Sequence, residues 1–147
     1  MLYIVADHAG YELKKRIKLI AEKNAIEYKD LYEILNLKDD YPDVAMILAD
    51  KMEGQESARG LAICGTAEGI CMALNRFSFI RAATVDSALI TGIIRRHNQA
   101  NVICIPGPYS KKELSDKQLL DILETFLYTE PDLDPRHVRR VAKLTSL

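Results

Sequence analysis

The stretch Gly60-Leu61-Ala62-Ile63-Cys64-Gly65-Thr66-Ala67-Glu68-Gly69-Ile70 decides the fold. Gly60 to Cys64 is a short apolar run and reads as a buried strand. A glycine-bearing turn follows, and a helix then runs from Gly69 to Asn75 through Met72, Ala73 and Leu74. Strand, tight turn and helix form the repeating unit of a parallel sheet, and the unit sets a thiol at the carboxyl end of a strand. Free N–H groups at the start of that helix favour anions and developing negative charge. A thiol in such a place can supply a thiolate near neutral pH. Free cysteine is also a common core residue, and for Cys64 the two readings are evenly matched.

The same alternation extends outward in both directions. Leu2 to Ala6 reads as a strand. From Tyr11 to Lys23, Leu13, Ile17, Ile20 and Ala21 recur at helical spacing, with Lys14, Lys15, Arg16 and Lys18 mostly facing water. Ala25 to Lys29 is a short strand candidate. Asp40-Tyr41-Pro42-Asp43 starts a helix that continues to Met52, with Pro42 in its first turn. Phe79 to Val85 is a fourth strand, and Asp86-Ser87 caps a helix ending near His97. Asn101 to Ile105 is a fifth strand, stopped by Pro106-Gly107-Pro108. Glu113 to Tyr128 is an amphipathic helix, and Asp134-Pro135 opens a last basic helix through Lys143. The pattern predicts an α/β fold: a Rossmann-like three-layer α/β/α sandwich on a five-stranded parallel sheet, with a C-terminal helix. Its binding site is expected at the carboxyl ends of the strands. Glu130 to Pro135, acidic and proline-bearing, can let the last helix swing away from its own core.

The chain has 147 residues, 48% hydrophobic and 28% charged, with a net charge of −1. That length suits one domain, residues 1–147, and the balance gives no reason to expect a nucleic-acid or membrane partner. Cys64, Cys71 and Cys104 are odd in number and lack metal-ligand spacing, so a reducing cytoplasm is expected, without disulfides or a metal site. Cys71 and Cys104 read as core. No secretory signal pattern opens the chain, and no apolar run reaches membrane-spanning length.

Several clusters carry competing readings. In Asp7-His8-Ala9-Gly10, Asp7 and His8 can orient hydroxyls or bind a phosphate, with Gly10 permitting close backbone approach. As an isolated tetrapeptide it favours Asp7 as a helix cap and His8 as a surface residue. Glu68 reads as a first-turn carboxylate favoured by the helix dipole. His97 is either a helix-terminal cation or a proton shuttle, with Asn98 a positioning amide. Arg136 and Arg140 lie one helical turn apart, and two guanidinium forks on one face suit a phosphate. A basic cluster this short is more often simply solvated.

The ordered set of motifs resembles one family along essentially the whole chain. Asp7-His8-Ala9-Gly10-Tyr11-Glu12-Leu13-Lys14, Asp40-Tyr41-Pro42-Asp43, and Ile63-Cys64-Gly65-Thr66 followed by Gly69 and Asn75 carry it. Ile80-Arg81-Ala82-Ala83, Arg96-His97-Asn98-Gln99-Ala100-Asn101-Val102 and Arg136-His137-Val138-Arg139-Arg140-Val141 complete it. Together they look like the type B ribose-5-phosphate isomerases, relatives of the galactose-6-phosphate isomerase subunits. The resemblance implies an aldose–ketose isomerase working through a cis-enediolate without metal or cofactor. It implies Cys64 as the base and Thr66 and His97 as the ring-opening residues. Asp7 and Tyr41 match sugar contacts, while His8, Arg136 and Arg140 match phosphate ligands. Asn98 matches a residue at the reacting end, and the amides from Gly65 to Gly69 match the anion hole. The implied assembly is a homodimer, or a dimer of dimers, with a shared site and the helix at about 134–144 packed on the partner. Ribose 5-phosphate is the expected substrate. The alternatives are a six-carbon sugar phosphate, such as that of allose or galactose, or a binding module with impaired catalysis.

Two departures bear on the turn. The family's turn reads Gly-Thr-Gly, an apolar residue, then Gly, whereas Ala67 stands here at the second glycine and Glu68 at the apolar position. If that position requires positive φ, Ala67 carries strain. Glu68 adds negative charge beside an enediolate unless it points outward. A branch of the family uses a glutamate one residue past the last turn glycine, and Ile70 occupies that place.

Overall fold

Alternating side chains along three strands feed two separate cores. The computed structural model describes residues 1–147. β1 (Leu2–Ala6), β3 (Arg59–Cys64) and β5 (Val102–Pro106) form the centre of the sheet. Leu2, Ile4, Ala6, Leu61, Ile63, Ile103 and Ile105 bury one face. Tyr3, Val5, Ala62, Cys64, Val102 and Cys104 bury the other. Period-two alternation with both faces apolar is the mark of a parallel sheet sandwiched between helices. β2 (Tyr28–Asp30) and β4 (Ala82–Thr84) are short edge strands, and the order is β2-β1-β3-β5-β4. All pairings are parallel.

The helices divide between the two faces. α1 (Tyr11–Lys23) and α5 (Asp116–Tyr128) cover the first core, with α4 (Ala88–Asn98) beside α5. α2 (Tyr41–Met52) and α3 (Glu68–Leu74) cover the second. α6 (Pro135–Thr145) lies against α4. No helix is long and apolar enough to cross a membrane. The chain leaves β1 toward β2 on one side and returns to β3 on the other. The β1/β3 junction is therefore a topological switch point, where a crevice opens at the carboxyl edge.

The expected elements are present with shifted ends. The strand expected over Ala25 to Lys29 lies at Tyr28–Asp30, because Asn24 and Ile26 both donate to the Ala21 carbonyl and Ala25 takes a left-handed φ of 53°. The fourth strand shrinks to Ala82–Thr84. The Ile80 N–H turns back to the Phe77 carbonyl, and the Arg81 N–H goes to the Asn101 side chain. α5 starts at Asp116 because Ser115 and Gln118 form a capping box. Lys14 overturns the expectation that the α1 lysines face water. It is 1% exposed, donates to Asp30 at 3.1 Å and to the Tyr32 carbonyl, and so ties α1 to the end of β2.

Candidate active site

At the β1/β3 switch point, backbone and side chains knit three loops together. The Asp7 N–H donates to the Ile63 carbonyl at 3.1 Å, and the Gly107 N–H donates to the Cys64 carbonyl at 2.9 Å. The Asp7 carboxylate accepts from the Gly10 N–H at 3.0 Å and so closes the β1–α1 turn. Burial pushes the Asp7 carboxyl above its ordinary value, and the Gly10 bond offsets this only in part. A Cβ on Gly10 would lie 2.7 Å from the Ile63 carbonyl oxygen. The close approach expected of Gly10 is thus to the neighbouring strand end.

Cys64 ends β3, 4% exposed, on the face covered by α2 and α3. Cys71 and Cys104 are buried and unpaired, in keeping with their reading as core. The turn after Cys64 has the geometry its sequence departure put at issue. Ala67 is fully buried with φ of 69°, in the left-handed region. No side chain caps α3 at Ala67, and the Glu68 N–H meets only Thr66 Oγ1, at 3.4 Å. Thr66 and Glu68 are exposed at the carboxyl edge.

Two tyrosines flank this turn. A Cβ on Gly69 would fall 2.9 Å from the Tyr41 ring, and one on Gly65 would fall 2.3 Å from the Tyr109 ring. The glycines let each ring lie on the backbone. Tyr41 was expected here; Tyr109, beyond the Pro106-Gly107-Pro108 stop, was not. Its N–H donates to the Gly65 carbonyl at 3.2 Å, and it borders a cleft of about 440 Å³ with Thr66, Glu68 and Thr84.

His8 is partnered by Asp39, far from it in sequence. Its Nδ1 lies 2.6 Å from Asp39 Oδ1, and its backbone N–H donates to the same oxygen at 3.1 Å. The hydrogen bond to Asp39 raises the His8 pKa above its ordinary value, so the imidazolium persists to higher pH. Asp39 lies 31 residues from His8, and no local motif joins the two.

His97, Asn98, Arg136 and Arg140 lie elsewhere. α4 starts at the carboxyl edge beyond β4 and runs back, and Gln99 ends it with a left-handed φ of 52°. The Asn101 carbonyl, three residues past Asn98, accepts from the Gly60 N–H at the start of β3. Cys64 is level with Pro106, and Gly60 is level with Val102. Four residues of strand separate these levels, about 13 Å. Within one chain Cys64 and His97 therefore stand at opposite ends of the sheet.

α6 completes the second group. The His137 ring stacks on the His97 ring, with centroids 4.3 Å apart, and the Asp132 N–H donates to the Arg96 carbonyl at 2.9 Å. The segment expected to let α6 swing free instead pins it to the end of α4. Arg136 and Arg140 are exposed, and Arg136 lies 3.3 Å from Asp134. Asn98 opens on a cavity of about 580 Å³ lined by Arg76, Arg81, Leu144 and Leu147 among others. The chain thus gathers Asp7, His8, Tyr41, Cys64, Gly65, Thr66 and Gly69 in one half, and His97, Asn98, Arg136 and Arg140 in another.

Comparison with known proteins agrees with this architecture. The profile of the ribose/galactose isomerase family matches residues 2–144. Ribose-5-phosphate isomerase B of Escherichia coli is 30% identical over 141 residues, covering 96% of this chain and 91% of that one. The structure of ribose-5-phosphate isomerase B from Mycoplasma genitalium with bound ribulose-5-phosphate superposes with a TM-score of 0.86 at 33% identity, over 99% and 93% of the two chains. That of a ribose 5-phosphate isomerase from Thermotoga maritima gives 0.85 at 32% identity, over 99% and 97%. With its parallel sheet, its Cys64 turn and these matches along nearly its full length, the chain belongs to the ribose/galactose isomerase family.

Proposed function

We propose that this chain interconverts ribose 5-phosphate and ribulose 5-phosphate, a step of the non-oxidative pentose phosphate pathway. The observation that carries the reading is Cys64 at the strand end, below a turn whose third residue, Ala67, holds a left-handed backbone. In the forward direction the Cys64 thiolate takes the proton from carbon 2. The electron pair moves into the carbon 1–carbon 2 bond, and the carbonyl oxygen becomes the enediolate oxygen. Amides from Gly65 to Gly69 face that charge, and such preorganised donors contribute about 3 kcal/mol each. The hydroxyl proton on oxygen 2 passes to oxygen 1, Cys64 returns its proton to carbon 1, and oxygen 2 becomes the carbonyl. Thr66 and His97 open the furanose, Asp7 and Tyr41 hold the sugar, and Asn98 holds the reacting end. His8, Arg136 and Arg140 hold the phosphate, whose binding energy keeps the sugar in register. This chemistry calls on no metal or organic cofactor.

The separation of the two groups supports a homodimer in which each site takes Cys64 from one copy and His97 with α6 from the other. Residues 1–147 then act as one isomerase domain, and the unpaired thiols suit a reducing cytoplasm. The Ala67 and Glu68 departures favour catalysis as much as simple binding, because Ala67 adopts the conformation its glycine counterpart would need and Glu68 is exposed. The test is proton exchange and isomerisation of ribose 5-phosphate in heavy water with EDTA, followed by NMR. Wild type should turn over, and Cys64→Ala should lose about 100- to 10,000-fold while still binding sugar phosphate. Wild-type rates in Cys64→Ala would remove the base assignment. Faster turnover of a six-carbon sugar phosphate would change the substrate but not the chemistry.

A further inference from the structure

His137 has no part in the mechanism above, yet it is the most enclosed of the three histidines, at 5% exposure. Its ring lies face to face on that of His97, with planes only 6° apart. No hydrogen-bond partner within the chain reaches its Nε2, and Asp132 Oδ2 stands 3.7 Å away. A buried polar nitrogen left without a hydrogen bond carries a desolvation cost that an apolar ring in the same place would not incur. Asp132 itself is fixed at two points. Its N–H donates to the Arg96 carbonyl, one residue before His97, and its carboxylate accepts from the Asp134 N–H at 2.9 Å. Asp134 in turn accepts from the Arg136 N–H at 2.9 Å, at the first turn of α6. The linker is thus fixed to the end of α4 and to the first turn of α6, and it brings the Asp132 carboxylate to the edge of the His137 ring.

A metal is the other chemistry this cluster suggests, since His97, Asp132 and His137 bring possible ligand atoms within 4.8 Å of one another. The ring planes argue against it. An imidazole lone pair lies in its ring plane, so two stacked rings aim along nearly parallel lines. They do not converge on an ion about 2.1 Å from each nitrogen.

We infer that His137, buried beside Asp132, is a positioning residue that fixes the His97 imidazole in the orientation needed to open the sugar ring. The inference rests on the isomerase reading for its purpose but not for its geometry. His97 is half-buried at the last turn of α4, where its ring would otherwise be free to rotate. A proton donor must lie within hydrogen-bond reach of its target, and a displacement of about 1 Å can cost about 100-fold. Stacking on a ring that is itself buried restricts that freedom.

Two readouts separate positioning from a merely structural role. The first is the NMR spectrum of the imidazole ring protons, simple in a chain with three histidines. The second compares conversion of ribose 5-phosphate, which is mostly a closed furanose, with solvent-proton exchange at carbon 1 of ribulose 5-phosphate. The latter sugar is open, because its phosphate occupies the hydroxyl that would close the ring, so exchange needs the Cys64 step but no ring opening. In His137→Asn the His97 ring protons should move downfield as they leave the neighbouring ring. Conversion should fall about 10- to 100-fold while exchange stays within about twofold. Asp132→Asn should show the same pattern more weakly. His137→Phe, which keeps a ring against His97 and suits a buried site, should restore the ring-proton positions and most of the conversion. Unmoved His97 resonances in His137→Asn, or an equal fall in exchange and conversion, would overturn the proposal, as would failure of His137→Phe to restore either readout. If wild type neither exchanges nor converts, the isomerase reading fails, and the NMR comparison still decides whether His137 orients His97.

Discussion

His8 sits at the surface, yet its backbone N–H and its ring both converge on one oxygen of Asp39, a carboxylate whose side chain is only 4% exposed. A phosphate site needs the ring charged, and the Asp39 hydrogen bond raises its pKa. The sign follows from the direction of that shift. A raised folded pKa favours the protonated form, so the His8–Asp39 contribution to stability is full below the unfolded pKa and is lost as pH rises through the folded one. Phosphate affinity should follow the same course. In Asp39→Asn the alkaline fall in affinity for ribose 5-phosphate should move to lower pH, with binding weakened a few-fold near about pH 7. Calorimetric titration across pH checks this, and an unmoved profile would leave Asp39 a loop-holding residue only. His8 could be picked out from its motif, but Asp39 could not. It lies 31 residues away in a loop without periodicity, and only the fold brings it near. The burial of Lys14 is hidden from the sequence for a related reason. Helical spacing placed it beside the apolar stripe, and what buries it is the Asp30 carboxylate at the end of β2, which local pattern does not reveal. Burial alone would raise the Asp30 pKa, but hydrogen bonds from Lys18, the Tyr32 N–H and Lys14 outweigh it and hold the carboxyl below its ordinary value.

Among the elements, the turn from β3 into α3 was the most readable, because strand, glycines and helix start lie within a few residues. Even the backbone of Ala67 was foreseeable, since a glycine in the family's pattern marks a place for positive φ. The edge strands were harder to bound. Ala25 to Lys29 and Phe79 to Val85 both have strand-like composition, but β2 and β4 each pair on one side only, so turn hydrogen bonds claim their first residues. Ala67 allows a test with opposing terms. The left-handed backbone costs a non-glycine residue about 1–2 kcal/mol. Its methyl is fully buried, and losing that burial costs about 0.8 kcal/mol. Ala67→Gly should therefore change the unfolding free energy by less than about 1 kcal/mol. Ala67→Val forces a branched side chain into the same backbone and a filled core, and should lose about 2–4 kcal/mol. Urea denaturation of both variants measures the two values. Equal stability of the valine variant would mean that the turn relaxes out of the left-handed region.

At the scale of the whole molecule the informative feature is a distance. Strand order cannot be read from alternation alone, and here β5 inserts between β3 and β4. Sequence could therefore gather Cys64 and His97 into one set of site residues without showing that α4 carries His97 to the far edge of the sheet. A pentose phosphate cannot bridge the about 13 Å of strand between those levels and still react at one end. The exposed Met72 on α3, Leu89 on α4 and Val138 and Leu144 on α6 offer apolar surface near both halves. A two-fold pairing of like surfaces is the commonest way to cover such area. If each site joins two copies, inactive variants should complement. Cys64→Ala and His97→Asn chains, each inactive alone toward ribose 5-phosphate, are mixed in equal amounts under conditions that exchange subunits. Half the dimers are then mixed. In a mixed dimer one site carries both substitutions and the other carries neither. Activity should recover to about a quarter of wild type, the share of intact sites in a random mixture of two-fold dimers. Tagging the two variants differently and isolating the mixed dimer should double that figure. A self-sufficient chain would give no recovery at any ratio, and Cys64 and His97 would then belong to separate functions.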